Sequence, residues 1–125
     1  HYSTEAILKI AKQMVSTLRH LHVRKVSHGD IYAHNTMVNQ NHNVLFGDFG
    51  AATNLTMLSE YQQKQLELIE VSALGCLIED LLGTVTGDDR QSELFVKMSD
   101  MAKRAMQPIL NQRPTFIELL EELNV

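Results

Sequence analysis

Tryptophan is absent from these 125 residues, and cysteine, proline and positive charge are all in short supply. The single cysteine, Cys76, excludes an internal disulfide framework and a cysteine-built zinc site. Eleven basic residues against fifteen acidic ones leave a net charge of −4. No basic surplus therefore points to nucleic acid or to an anionic membrane. The most apolar run, Val71 to Ile78, is far shorter than the roughly 18 residues a membrane-spanning helix needs. No basic-then-apolar leader follows His1. Linkers rich in proline, glycine or serine are missing, as are repeats and low-complexity runs. The expected setting is soluble, reducing and cytoplasmic, with neither nucleic acid nor membrane as partner. What remains is 44% hydrophobic and 21% charged, the composition of a globular chain, and its length is that of one domain.

Hydrophobic spacing divides the chain into helices with one interruption. Ile7, Ala11, Met14, Leu18 and Leu21 recur every three or four residues, predicting an amphipathic helix over 4–22 with Ser3 or Thr4 as its cap. Val23 to Asn35 has no sustained period and reads as an irregular loop. Met37–Val38 and Val44–Leu45–Phe46 flank a polar cluster of turn formers, which predicts a small hairpin. A polar loop over 51–60 leads to a helix from about Tyr61 to Leu82, stopped at Gly83 and apolar on nearly every side in its second half. After a turn at 84–90, Ser92 to Met106 gives another amphipathic helix. A last one opens at Pro114-Thr115, with Thr115 and Glu118 spaced as a capping box and Phe116, Ile117, Leu119, Leu120 and Leu123 as its buried face. The expected fold is mainly α with one small β-hairpin, as a single unit over residues 1–125.

The chemistry-bearing segment is His28-Gly29-Asp30-Ile31-Tyr32-Ala33-His34-Asn35, followed 18 positions after Asp30 by Asp48-Phe49-Gly50. A hairpin folded back on itself would bring Asp48 towards Asp30 and Asn35. A carboxylate and an amide oxygen, completed by water and phosphate oxygens, suit Mg²⁺ better than zinc. A further carboxylate not spent on metal can orient or deprotonate a hydroxyl. Metal clamp plus base is what phosphoryl transfer requires, because its transition state needs positioning and charge neutralisation more than covalent help.

This segment resembles the protein-kinase catalytic loop, H-R-D-x-x-x-x-N, followed by D-F-G. The likeness extends over residues 4–123. The helix before the loop, the hairpin, the buried helix with Glu70-Val71-Ser72-Ala73-Leu74-Gly75, and Arg113-Pro114-Thr115 all fall in the family's order. The resemblance implies Asp30 as catalytic base, with Asn35 and Asp48 as Mg²⁺ ligands that hold the ATP phosphates. It implies His28 as a support of the loop, Glu70 as a hydrogen-bond partner of the loop backbone, and Arg113 paired with Glu60 to close the activation segment. The wording H-G-D-x-Y-A-H-N with D-F-G-A-A resembles bacterial protein kinases attached to leucine-rich repeats, which implies such repeats in the same chain and a protein substrate. Nothing corresponds to a glycine-rich loop, a V-A-I-K lysine or its glutamate partner. The expectation is a C-terminal lobe from a longer chain that begins before His1. Its N-terminal lobe is absent, and the lobe alone is expected to be inactive.

The departures from the family pattern carry expectations too. Gly29 in place of arginine removes the usual cationic partner of a phosphorylated activation loop. Tyr32 stands where serine/threonine kinases carry a lysine for the transferred phosphate, and only 12 positions separate Asp48 from Glu60. Gly29 also fits aminoglycoside- or choline-kinase-type phosphotransferases, while D-F-G and Arg113-Pro114-Thr115 oppose them. A pseudokinase or docking module is the remaining alternative. His20, His22, His34 and His42 show no ligand spacing with a carboxylate and read as ordinary surface or core residues. Cys76 reads as inert packing on an apolar helix.

Overall fold

The computed structural model describes residues 2–27, 36–38, 44–46 and 53–124. Among the described residues, four α-helices dominate: α1 (Thr4–Val23), α2 (Glu60–Leu82), α3 (Glu93–Ala105) and α4 (Phe116–Leu123). Short 3₁₀ turns, Gly87–Gln91 and Leu110–Gln112, join α2 to α3 and α3 to α4. Four short strands, β1 (Val26–Ser27), β2 (Thr36–Val38), β3 (Val44–Phe46) and β4 (Thr53–Asn54), form two separate antiparallel pairs.

Each helix starts where a small polar side chain can satisfy the free N–H groups of the first turn. The hydroxyl of Ser3 accepts from the Ala6 amide, that of Ser59 from Gln62, that of Ser92 from Phe95 and that of Thr115 from Glu118. Ser59–Gln62 and Thr115–Glu118 are full capping boxes, with the side chain at the third helical position bonding back to the cap amide. Asp89, on the first 3₁₀ turn, accepts the Thr4 amide at 2.9 Å, so a distant carboxylate sits on the positive end of α1. The backbone amide and hydroxyl of Thr115 hold the Glu118 carboxyl below its ordinary value. Ionised Glu118 therefore favours the folded state above the usual carboxylate range, and that contribution fades as the pH falls through its lowered pKa. Thr115→Ala is expected to lower stability by about 1 kcal/mol in urea melts, the ordinary value of an N-cap.

The core is built around α2. Val71, Leu74, Leu77, Ile78 and Leu82 pack with Ile7, Ile10, Met14 and Leu18 of α1, Met98, Met101, Ala102 and Ala105 of α3, and Phe116, Leu119 and Leu123 of α4. Gly75 lets α2 and α3 approach so closely that a Cβ there would lie 2.8 Å from that of Ala105. Arg104 of α3 adds a polar clamp. Its guanidinium binds both carboxylate oxygens of Glu122 on α4, with Nη1 donating at 3.0 Å, and its Nε donates to Asp100 at 3.0 Å.

Two expectations about packing are corrected. Cys76 is exposed on α2 rather than packed inside, and Ile69 on the same helix is also exposed. The central helix thus keeps one face open to solvent. Ile117 is 50% exposed, because Phe116, Leu119 and Leu123 fill the buried stripe of α4 and position 117 turns outward. The stretch read as an irregular loop contains β1, which pairs with β4 in the register Val26↔Asn54 and Ser27↔Thr53. In the second pair, Thr36 lies opposite Phe46, Met37 opposite Leu45 and Val38 opposite Val44. The turn expected between these two strands, 39–43, lies outside the described residues.

Candidate active site

Asp30, Asn35, Asp48 and His28 lie outside the described residues, so the site is approached through the elements on either side of them. β1 ends at Ser27, one residue before His28, and β2 starts at Thr36, one residue after Asn35. β3 ends at Phe46, two residues before Asp48, and β4 starts at Thr53, five residues after it. The two segments that carry the expected base and metal ligands are thus each anchored at both ends by a paired strand.

At the end of α1 that leads into β1 lies a buried polar contact. Nε2 of His22, on the last turn of α1, is 2.5 Å from Oε2 of Glu70. Glu70 is only 3% exposed, a carboxylate set amid the apolar face of α2. The His22 ring also meets Phe116 of α4 edge-on, with centroids 5.3 Å apart and planes at 66°. One imidazole therefore ties three helices together, and α1 then passes through Arg24 and Lys25 into β1. Lys25 takes a positive φ of 65°, and its carbonyl accepts the Leu55 amide at 2.7 Å. That bond continues the β1–β4 pairing past Asn54. Glu70 was expected to hold the catalytic-loop backbone, and that partner lies outside the described residues.

The expected Arg113–Glu60 pair is not formed. Nη1 of Arg113 donates to the Leu68 carbonyl at 3.0 Å and Nε to the Gln107 carbonyl at 2.6 Å. Eight residues of helix separate Leu68 from Glu60, a displacement of about 12 Å along the axis. Arg113 thus fastens the segment before α4 to the middle of α2. Glu60 is exposed in the first turn of α2, where its charge suits the helix dipole.

Sequence reasoning missed His22. The signal was available as two polar residues, His22 and Glu70, on otherwise apolar helix faces. Polar groups in such positions are stable only when they find each other or another partner.

The donor types expected for a metal, the Asn35 amide oxygen and the Asp48 carboxylate, are hard oxygen ligands of the kind Mg²⁺ takes. No cluster of three or more histidine, cysteine or acidic side chains suited to a metal occurs among the described residues. No helix among them is long and apolar enough to cross a membrane.

Comparison with known proteins is consistent with this frame. The model of the protein kinase domain matches residues 1–68, from the start of α1 to the middle of α2. A receptor-like protein kinase of Arabidopsis thaliana, LEAF RUST 10 disease-resistance locus receptor-like protein kinase-like 1.2, is 44% identical over 43 residues. That match covers 34% of this chain and 7% of the relative, so the chain spans a small part of the curated protein it resembles. The family match takes in more than half of the chain, including α1, both motif segments and the strands that flank them in the sequence: the chain belongs to the protein kinase domain family.

Proposed function

We propose that this chain supplies the catalytic base and the metal-binding side chains of a protein kinase that transfers phosphate from ATP to serine or threonine hydroxyls. The observation that carries the reading is Asp30-x-x-x-x-Asn35 followed by Asp48-Phe49-Gly50, in a chain of the protein kinase family. Asp30 would accept the proton of the attacking hydroxyl and hold its oxygen in line. Asn35 and Asp48 would offer an amide oxygen and a carboxylate to Mg²⁺, which neutralises phosphate charge when bound. His22 and Glu70 would hold α1 against α2 so that Ser27 delivers His28 and Asp30 in a fixed direction. The phosphates need further donors, a glycine-rich loop and a lysine, that these 125 residues do not carry. We place those in an upstream lobe of a longer chain and expect the 125-residue lobe alone to be inactive. The motif wording from His28 to Asn35 supports a relationship to bacterial kinases joined to leucine-rich repeats.

The test is a phosphate-transfer assay on the full natural chain, with peptides and small alcohols offered side by side. Asp30→Asn is expected to lower turnover at least about a hundredfold, the ordinary scale of a general base. Asp48→Asn should remove the rise in melting temperature that Mg²⁺-ATP produces. Turnover indifferent to Asp30→Asn would overturn the reading. Transfer to small alcohols alone would point to a phosphotransferase of the aminoglycoside type. Failure of Mg²⁺-ATP to stabilise the unsubstituted chain would point to a docking module.

A further inference from the structure

Charge is unevenly spread over this acidic chain. From Ala6 to Lys25 there are five cations, Lys9, Lys12, Arg19, Arg24 and Lys25, and no carboxylate. The C-terminal end of α1, the first turns of α2 and the start of α4 enclose a groove of ≈ 310 Å³. Arg19, Lys25 and Lys64 stand on its rim, all exposed. Two apolar side chains face solvent in it, Val23 at 68% and Ile117 at 50%, beside the ring of Phe116.

The rim cations are weakly engaged within the chain. Nζ of Lys25 donates to the neutral amide of Gln63 at 2.9 Å. Lys64 lies 4.0 Å from Glu67, whose Oε2 already accepts the Phe116 amide at 2.9 Å. Arg19 has no carboxylate partner among the described residues. Glu60 is the other acid in the groove, and it is exposed. Helix-dipole stabilisation accounts for cations at the end of α1, but Lys64, one turn into α2, gains nothing from it. An exposed apolar floor ringed by under-used cations matches a partner that brings carboxylates and an apolar anchor together.

We propose that this groove docks an acidic peptide segment of a partner protein. Its carboxylates would sit on Arg19, Lys25 and Lys64, and one leucine-sized side chain on Val23 and Ile117. Lys25 is followed directly by β1, so the docked segment would lie beside the strand that leads towards Asp30. Docking itself does not depend on the phosphotransfer reading.

Fluorescence anisotropy on the purified protein tests this with three labelled twelve-residue peptides. One carries glutamates and aspartates around a central leucine, one lysines around the same leucine, and one the acids with serine in its place. The first should bind and the other two at least about tenfold more weakly, with affinity falling as salt is raised. Arg19→Glu with Lys64→Glu should cost the first peptide about tenfold or more, and Ile117→Ser should also weaken it. Both changes are on exposed side chains, so thermal melts should stay unchanged. Equal binding of the basic peptide, or affinity unmoved by the double reversal, would overturn the proposal. So would a dimer in sedimentation equilibrium that Arg19→Glu with Lys64→Glu dissolves, since the occupant would then be a second copy of the chain.

Discussion

Replacing Gly75 by leucine is expected to lower the unfolding free energy by about 4 kcal/mol or more, a large share of what a domain this size possesses. The reason is the approach of α2 to α3. A Cβ at position 75 would lie 2.8 Å from Cβ of Ala105, 2.9 Å from the carbonyl oxygen of Ala102 and 3.0 Å from Cγ of Met106. Carbon atoms in good contact sit about 3.5–4.0 Å apart, so the first carbon already collides and the rest of leucine has nowhere to go. Only the Met106 side chain can swing aside. Ala105 has no rotamer to change, and the Ala102 oxygen moves only with its helix. Alanine at 75 isolates the first step. Two contacts below 3.0 Å put its overpacking cost at the upper end of the usual range, about 2–3 kcal/mol, offset by the better helix propensity of alanine over glycine, about 1 kcal/mol. A net loss of about 1–2 kcal/mol is expected in urea denaturation. Ala105→Gly should cost less in the Gly75→Ala background than in the natural chain, since there it relieves one collision, although the contact with the Ala102 oxygen remains. A Gly75→Ala variant as stable as the natural chain would show that the helices do not approach this closely.

Much of the helical frame was legible because it is written locally. Ser3, Ser92 and Thr115 sit where small hydroxyl residues cap helices, and the apolar spacing behind each reveals its face. The last helix also shows its capping box in the Thr115–Glu118 spacing. Periodicity reaches its limit on α2, whose apolar residues run nearly all round. It could not tell that Ile69 and Cys76 would be left in solvent, because that depends on which sides the other helices cover. β1 and β4 were illegible for another reason. Strands of two residues have no period to detect, and their pairing joins positions 26 and 28 residues apart, Ser27 with Thr53 and Val26 with Asn54. The candidate site was legible as motif wording, since Asp30, Asn35 and Asp48 carry it in linear order. What supports the motif was not. The partners of Arg113 proved to be the Leu68 and Gln107 carbonyls, and a backbone acceptor carries no signature in the sequence. His22 and Glu70 meet across 48 positions, a pairing that becomes visible only when α1 and α2 are laid side by side.

His22→Leu is expected to cost about 3 kcal/mol, although leucine is apolar and of similar bulk. The His22 side chain is 11% exposed and that of Glu70 is 4%, so the contact between them is largely shielded from water. Leucine would fill the space beside Phe116 and deprive the Glu70 carboxylate of this partner while keeping it buried. Taking a hydrogen-bond partner from a buried polar group costs about 1–3 kcal/mol, and more when the group is charged, so a carboxylate places the expectation at the upper end. Glu70→Gln should be milder, about 1 kcal/mol, because the amide oxygen can still accept from Nε2–H of the imidazole. The double variant His22→Leu with Glu70→Leu removes both polar groups of this contact. Urea midpoints for the natural chain, His22→Leu, Glu70→Leu and the double variant close a double-mutant cycle, and a coupling energy of at least about 1 kcal/mol is expected for residues in direct contact. A His22→Leu variant within about 0.5 kcal/mol of the natural chain, the scale of an ordinary surface substitution, would show that the pair contributes little. The same contact bears on chemistry, because His22 is five residues before Ser27, where β1 hands the chain to the segment carrying Asp30. Loosening α1 from α2 should therefore lower turnover of the full natural chain at temperatures where His22→Leu is still folded. Glu70→Gln as a single change, which keeps the hydrogen bond to His22, should retain most of that activity.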